Sequence, residues 1–121
     1  MNKKDMPLVY SCSGCSSAAQ TANRIAIRMD RDNVAEMSCI AGVGGDVKSL
    51  VKTAKSSRDI IAIDGCPLAC SKHCLARHDI QPKYHFDLSS FDVPKLKGVD
   101  PSPEHVENAY NLIVEHLSTN S

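Results

Sequence analysis

Short apolar runs alternate with amphipathic stretches four times along the chain. The first run is Leu8-Val9-Tyr10. From about Ser16 to Arg31, Ala18, Ala22, Ile25, Ala26 and Met29 then fall on one helical face. The second run covers Val34 to Cys39. Glycines at 42, 44 and 45 follow, and Asp46 stands where a helix N-cap is expected. The helix behind it is expected to turn Val47, Leu50, Val51 and Ala54 inward, with Lys48, Lys52 and Lys55 on its other faces. The third run, Ile60-Ile61-Ala62-Ile63, is apolar at every position, as a central parallel strand covered on both sides requires. The fourth, Lys83-Tyr84-His85-Phe86-Asp87-Leu88, alternates strictly and suits an edge strand. Ser102-Pro103-Glu104 supplies a capping residue, a proline in the first turn and an acid for the last helix. The buried stripe of that helix is Val106, Ala109, Tyr110, Ile113 and Leu117.

This β-α alternation predicts an α/β fold with a mostly parallel sheet. The second and fourth strands are half polar and belong at the edges, which puts the first and third in the middle and predicts the order 2-1-3-4. The result is a small doubly wound three-layer sandwich, flavodoxin- or Rossmann-like, with its switch point between strands 1 and 3. No linker or repeat interrupts the pattern, so residues 1–121 read as a single domain.

Composition narrows the function classes. Fourteen basic residues balance 14 acidic ones, so the basic excess expected of a nucleic-acid or membrane-surface binder is missing. There is no Trp and aromatic content is 4%, too little for a base-stacking platform. No stretch approaches the roughly 18 apolar residues of a spanning helix, and Leu8-Val9-Tyr10 is too short for a signal-peptide core. A soluble, cytoplasmic protein is expected. In that reducing compartment its six cysteines point to metal ligation or redox chemistry rather than disulfides.

Their positions sharpen this. Cys12 and Cys15 follow strand 1, Cys39 ends strand 2, and Cys66 follows strand 3 in Asp64-Gly65-Cys66-Pro67-Leu68-Ala69-Cys70. In a parallel sheet all strand C-termini share one edge, so sulfurs distant in the chain converge there, where open α/β sheets bind ligands. Cys70 and Cys74 are expected at successive helical turns beyond Cys66. Cys12, Cys15, Cys66 and Cys70 make a tetrahedral zinc set, with Cys39 and Cys74 as further candidates, and Cys39 able to replace any of the four. Helix N-termini at the same edge are expected to lower the cysteine pKa values, with Lys72, His73, Arg77 and His78 adding positive potential.

At these residues the chain resembles the DGC-domain family, named for an Asp-Gly-Cys motif, here Asp64-Gly65-Cys66. The matching segments are Cys12-Ser13-Gly14-Cys15-Ser16-Ser17, Ala35 to Cys39, Gly42-Val43-Gly44-Gly45-Asp46 and Ile63 to Cys70, and they run through about Cys74. The resemblance implies zinc bound through four cysteines. It implies no biochemical role.

Other features read more plainly. Gly42-Val43-Gly44-Gly45 lacks the dinucleotide pattern and is expected to be a tight turn. Asp64 is expected to cap or brace the following helix. His73, His78 and His85 are expected to be exposed. Two other functions stay open: a thiol redox or sulfur-transfer enzyme using Cys66 or Cys70, and an iron–sulfur protein, whose spacing differs from the ferredoxin patterns. The sequence offers no paired general base for metal-assisted hydrolysis.

Overall fold

The computed structural model describes residues 3–120. Its elements are β1 (Leu8–Ser11), α1 (Ser17–Arg31), β2 (Glu36–Met37), α2 (Ile40–Gly44), α3 (Lys48–Ala54), β3 (Ile60–Asp64), α4 (Cys70–Ala76), β4 (Tyr84–Asp87) and α5 (Pro103–Thr119). Short 3-10 turns cover Lys3–Asp5 and Leu88–Phe91. The strands form one all-parallel sheet in the order β2-β1-β3-β4, as the polarity of the runs predicts.

Strand alternation divides the apolar residues between two cores. Val9, Ile61, Ile63 and Phe86 point to one side and pack with Ile25 and Met29 of α1 and Ala109 and Ile113 of α5. Leu8, Tyr10, Ile60 and Ala62 point to the other and pack with Val43, Ala54 and Leu75 from α2, α3 and α4. Helices cover both faces, which is why β1 and β3 are buried at every position. Burial of each large aliphatic side chain contributes about 2 kcal/mol.

Local chemistry sets the ends of α1. Ser16 is its N-cap, with Oγ accepting from the Ala19 N–H at 3.1 Å. At the other end Asn33 takes a left-handed φ of 57°, which Asn tolerates, and the Val34 and Ala35 N–H groups both turn back to the Met29 carbonyl. Those residues close the helix rather than extend the strand. Cys39 is likewise taken up as the N-cap of α2. The second strand, expected over 34–39, therefore pairs only at Glu36 and Met37.

The glycine run departs from the expected turn. Gly42 and Gly44 lie inside α2. A Cβ on Gly42 would stand 1.9 Å from Leu50 Cδ1, so the glycine is what lets α2 and α3 pack this closely. Asp46 is not a cap. It has a left-handed φ of 63°, and its carboxylate accepts from Arg77 Nε and Nη2 at 3.0 and 2.8 Å. Val47 stands at the N-cap of α3 and is 47% exposed rather than turned inward.

Candidate metal centre at the cysteine edge

The Asp64-Gly65-Cys66 segment leaves β3 at the C-terminal edge of the sheet, and each of its residues has a separate task. Asp64 is 1% exposed. Its Oδ1 accepts from the Ser71 N–H at 2.8 Å. Its Oδ2 accepts from Ser71 Oγ at 2.8 Å and from the Lys72 N–H at 3.3 Å, and lies 2.8 Å from His85 Nε2. The carboxylate thus holds the first turn of α4 and ties it to the edge strand β4, the bracing role expected of it. Gly65 lies against α1: an added Cβ would come within 2.6 Å of Ala18 C and Ala19 N, both backbone atoms.

Cys66 comes next, and here the expected helix starts late. α4 begins at Cys70, not at Cys66. Pro67 and Leu68 form a turn, Ala69 takes a left-handed φ of 51°, and its N–H bonds to the Cys66 carbonyl at 3.1 Å. Cys66 and Cys70 therefore do not share a helical face, whereas Cys70 and Cys74 do. The cause is Asp64, which captures the N–H groups of Ser71 and Lys72 and so fixes where the helix starts.

Cys12, immediately after β1, is half-buried, and its Sγ accepts from the Gly65 N–H at 3.3 Å. This contact joins the loop after β1 to the loop after β3. Burial pushes the Cys12 thiol up to about 11; the Gly65 hydrogen bond opposes this, and the charges of Asp64 and Cys70 add to it. Cys74 is also raised, first by burial and then by Cys70 and Asp64. Its sulfur would lie 3.0 Å from a Cβ on Gly44, so glycine there leaves room for the thiol between α2 and α4. The expectation of lowered cysteine pKa values is corrected at these two thiols: desolvation of the anion outweighs the fields of the helix ends.

The charge of Cys70 thus acts on both Cys12 and Cys74. Cys66 is half-buried beside Lys95, whose Nζ donates to its Sγ at 3.4 Å. Cys15 is exposed in the loop before α1. Cys39 is exposed on the β2 side, where its Sγ accepts from the Gly42 N–H at 3.4 Å. A crevice of about 550 Å³ at this end of the sheet is lined by both Cys12 and Cys39, with Ser11, Ser38 and Asn23.

By donor type alone, cysteine sulfurs suit zinc. Asp64 is occupied by its four contacts, so the sulfurs are the available donors. Among the described residues, no three His, Cys, Asp or Glu side chains are gathered in a group that could hold a metal ion.

Two of the histidines differ from expectation. His85 is tied to Asp64 with its side chain 22% exposed. His78 is 15% exposed, with Nε2 2.8 Å from the Val43 carbonyl and 3.1 Å from Asp46 Oδ1. In both cases a partner from another element covers a ring that looks solvent-facing along the chain. His73 is exposed as expected. Sequence reasoning missed Lys95 and Ser17, whose contacts span 29 to 79 residues and leave no periodic trace.

The chain thus forms a doubly wound α/β sheet with cysteines at its C-terminal edge, around an Asp-Gly-Cys turn. Residues 8–113 match the DGC domain family, and the chain belongs to it. Among curated proteins it is similar to the anaerobic and virulence modulator AnvM of Pseudomonas aeruginosa, with 54% identity over 114 residues that cover 94% of this chain and 86% of that protein. No solved structure matches the chain.

Proposed function

We propose that this protein is a small cytoplasmic metal-binding module that carries zinc on the cysteines of its C-terminal sheet edge. Cys12, Cys15, Cys66 and Cys70 are the proposed ligands, with Cys39 and Cys74 as further donors. The observation that carries the reading is the 3.3 Å contact between Cys12 Sγ and the Gly65 N–H. It brings the loop after β1 against the turn bearing Cys66 and Cys70. Cys74 lies one turn beyond Cys70 on α4, which supports Cys74 as a further donor. None of the six cysteines is in a disulfide, which suits a reducing compartment, and no helix among the described residues is long and apolar enough to cross a membrane.

Bound zinc would supply a dication that holds the thiolates together and draws the loops after β1 and β3 into one unit. The residues do the rest: Asp64 fixes the start of α4, Gly65 sets the closeness of α1, and Cys12 bridges the two loops. The relative's name describes a modulator, and thiols that gain or lose a metal with availability or redox state provide a chemistry for modulation.

The test is elemental analysis of protein purified anaerobically with zinc supplied, beside single Cys→Ser variants at 12, 15, 39, 66, 70 and 74. About one zinc per chain, lost in the ligand variants, is expected. Iron with inorganic sulfide and a brown colour would support the iron–sulfur reading instead. Metal-free protein with one rapidly alkylated cysteine would support thiol redox or sulfur transfer.

A further inference from the structure

The helix α3 carries a row of cations that the fold leaves unanswered. Lys48, Lys52 and Lys55 stand four and three residues apart, on one side of the helix and its C-terminal end. All three are exposed, and residues 47–58 contain no acid. Among the described residues, none of the three ammonium groups forms an ion pair. By contrast, Lys3, Arg28, Arg31, Arg58, Arg77 and Lys83 each meet a carboxylate. Local stability does not account for the row. Like charges three and four residues apart on a helix repel, and Lys48, in the first turn, meets the positive end of the helix dipole.

The three lysines line one groove of about 590 Å³, together with Val51, Asp46 and His78. Asp46 is already engaged: its carboxylate accepts from Arg77 and lies 3.1 Å from His78 Nε2. Val51 is half-buried, and the lysine stems add methylene surface around it. Apolar surface therefore lies among the positive charges. We propose that this groove docks a short carboxylate-rich segment of a partner protein, with apolar side chains between its acids. The acids answer the lysines, and the apolar side chains cover Val51 and the lysine stems. Duplex DNA fits less well. The charges of the chain balance at 14 and 14, whereas a duplex binder needs a broad basic face, and phosphates offer nothing to the apolar part. No cysteine lines the groove, so the proposal stands apart from the zinc reading. Exposed charges favour a weak, salt-sensitive contact.

The experiment selects binders from a random peptide library displayed on phage and then measures the enriched peptides, dye-labelled, by fluorescence anisotropy. Wild type is compared with the triple variant Lys48→Gln/Lys52→Gln/Lys55→Gln and with Lys83→Gln, a control on another face. The enriched peptides are expected to be rich in Asp and Glu with apolar residues between. They should bind the triple variant about tenfold more weakly, bind Lys83→Gln as wild type, and lose affinity at about 1 M salt. The unfolding midpoint of the triple variant should not fall, because repulsion has been removed. Amide NMR shifts of wild type on peptide addition should cluster at residues 47–56 and 78, which reads the site without any substitution. Enrichment without acidic peptides, equal binding by the triple variant, or shifts elsewhere overturns the proposal. So does tighter binding of duplex DNA or phosphatidylglycerol vesicles through the same lysines. Self-association of the chain that the triple variant loses also overturns it, by giving the groove to a second copy.

Discussion

At the N-terminal edge of the sheet, Arg58 donates from Nε and Nη2 to the Met6 carbonyl, from Nη2 to the Lys3 carbonyl, and from Nη1 to Glu36 Oε1 at 2.8 Å. Asp30 accepts there from the Met37 N–H at 2.9 Å and from Lys3 at 3.0 Å. Fixed charges at that edge are spent inside the fold, on carbonyls, an amide and each other. The C-terminal edge is built otherwise. Among the described residues there, Asp64 is saturated by protein partners, while the sulfurs make weak hydrogen bonds of 3.3 to 3.4 Å. Thiols cost little to leave unpaired, so this edge keeps bonding capacity for a species from outside the chain. One end of the sheet closes the fold, and the other holds its chemistry.

Asp64→Ala should blur that contrast most. It removes the acceptor for two backbone N–H groups, a buried hydroxyl and His85. A loss of about 4 kcal/mol in denaturant unfolding is expected, together with weaker metal binding as the start of α4 loosens. Gly65→Ala follows at about 3 kcal/mol, because the new methyl meets helix backbone that cannot step aside. It too should lower metal affinity. Arg58→Ala should cost about 2 kcal/mol yet leave the metal content by elemental analysis unchanged. A loss of metal in that variant would show that the two edges are coupled.

The smallest effect is a pH dependence. The fold raises the Cys12 thiol from its ordinary value of 9.0 to about 11, so the folded state favours the protonated form. The stability this contributes is intact below the ordinary value and is lost as pH climbs towards about 11. In metal-free protein the unfolding midpoint should fall across that window, and Cys12→Ser should flatten the fall. The variant separates Cys12 from Cys74, Tyr10 and Tyr110, whose groups burial also raises.

Much of this molecule is readable without coordinates. The period of Ile60 to Ile63 marks a doubly covered strand, Ser16 marks a helix start, and the half-polar runs mark the edges; together they place Cys12, Cys39 and Cys66 at one rim. Such signals are local, because alternation and capping depend on residues a few positions apart. Tertiary structure alone decided that α4 starts at Cys70, that Gly42 sits inside a helix beneath Leu50, and that His85 closes on Asp64. It also decided that Lys95 lies over Cys66. Those outcomes turn on which distant atoms compete for a carboxylate or leave room for a side chain, and contact across dozens of residues follows from packing, which no periodicity encodes.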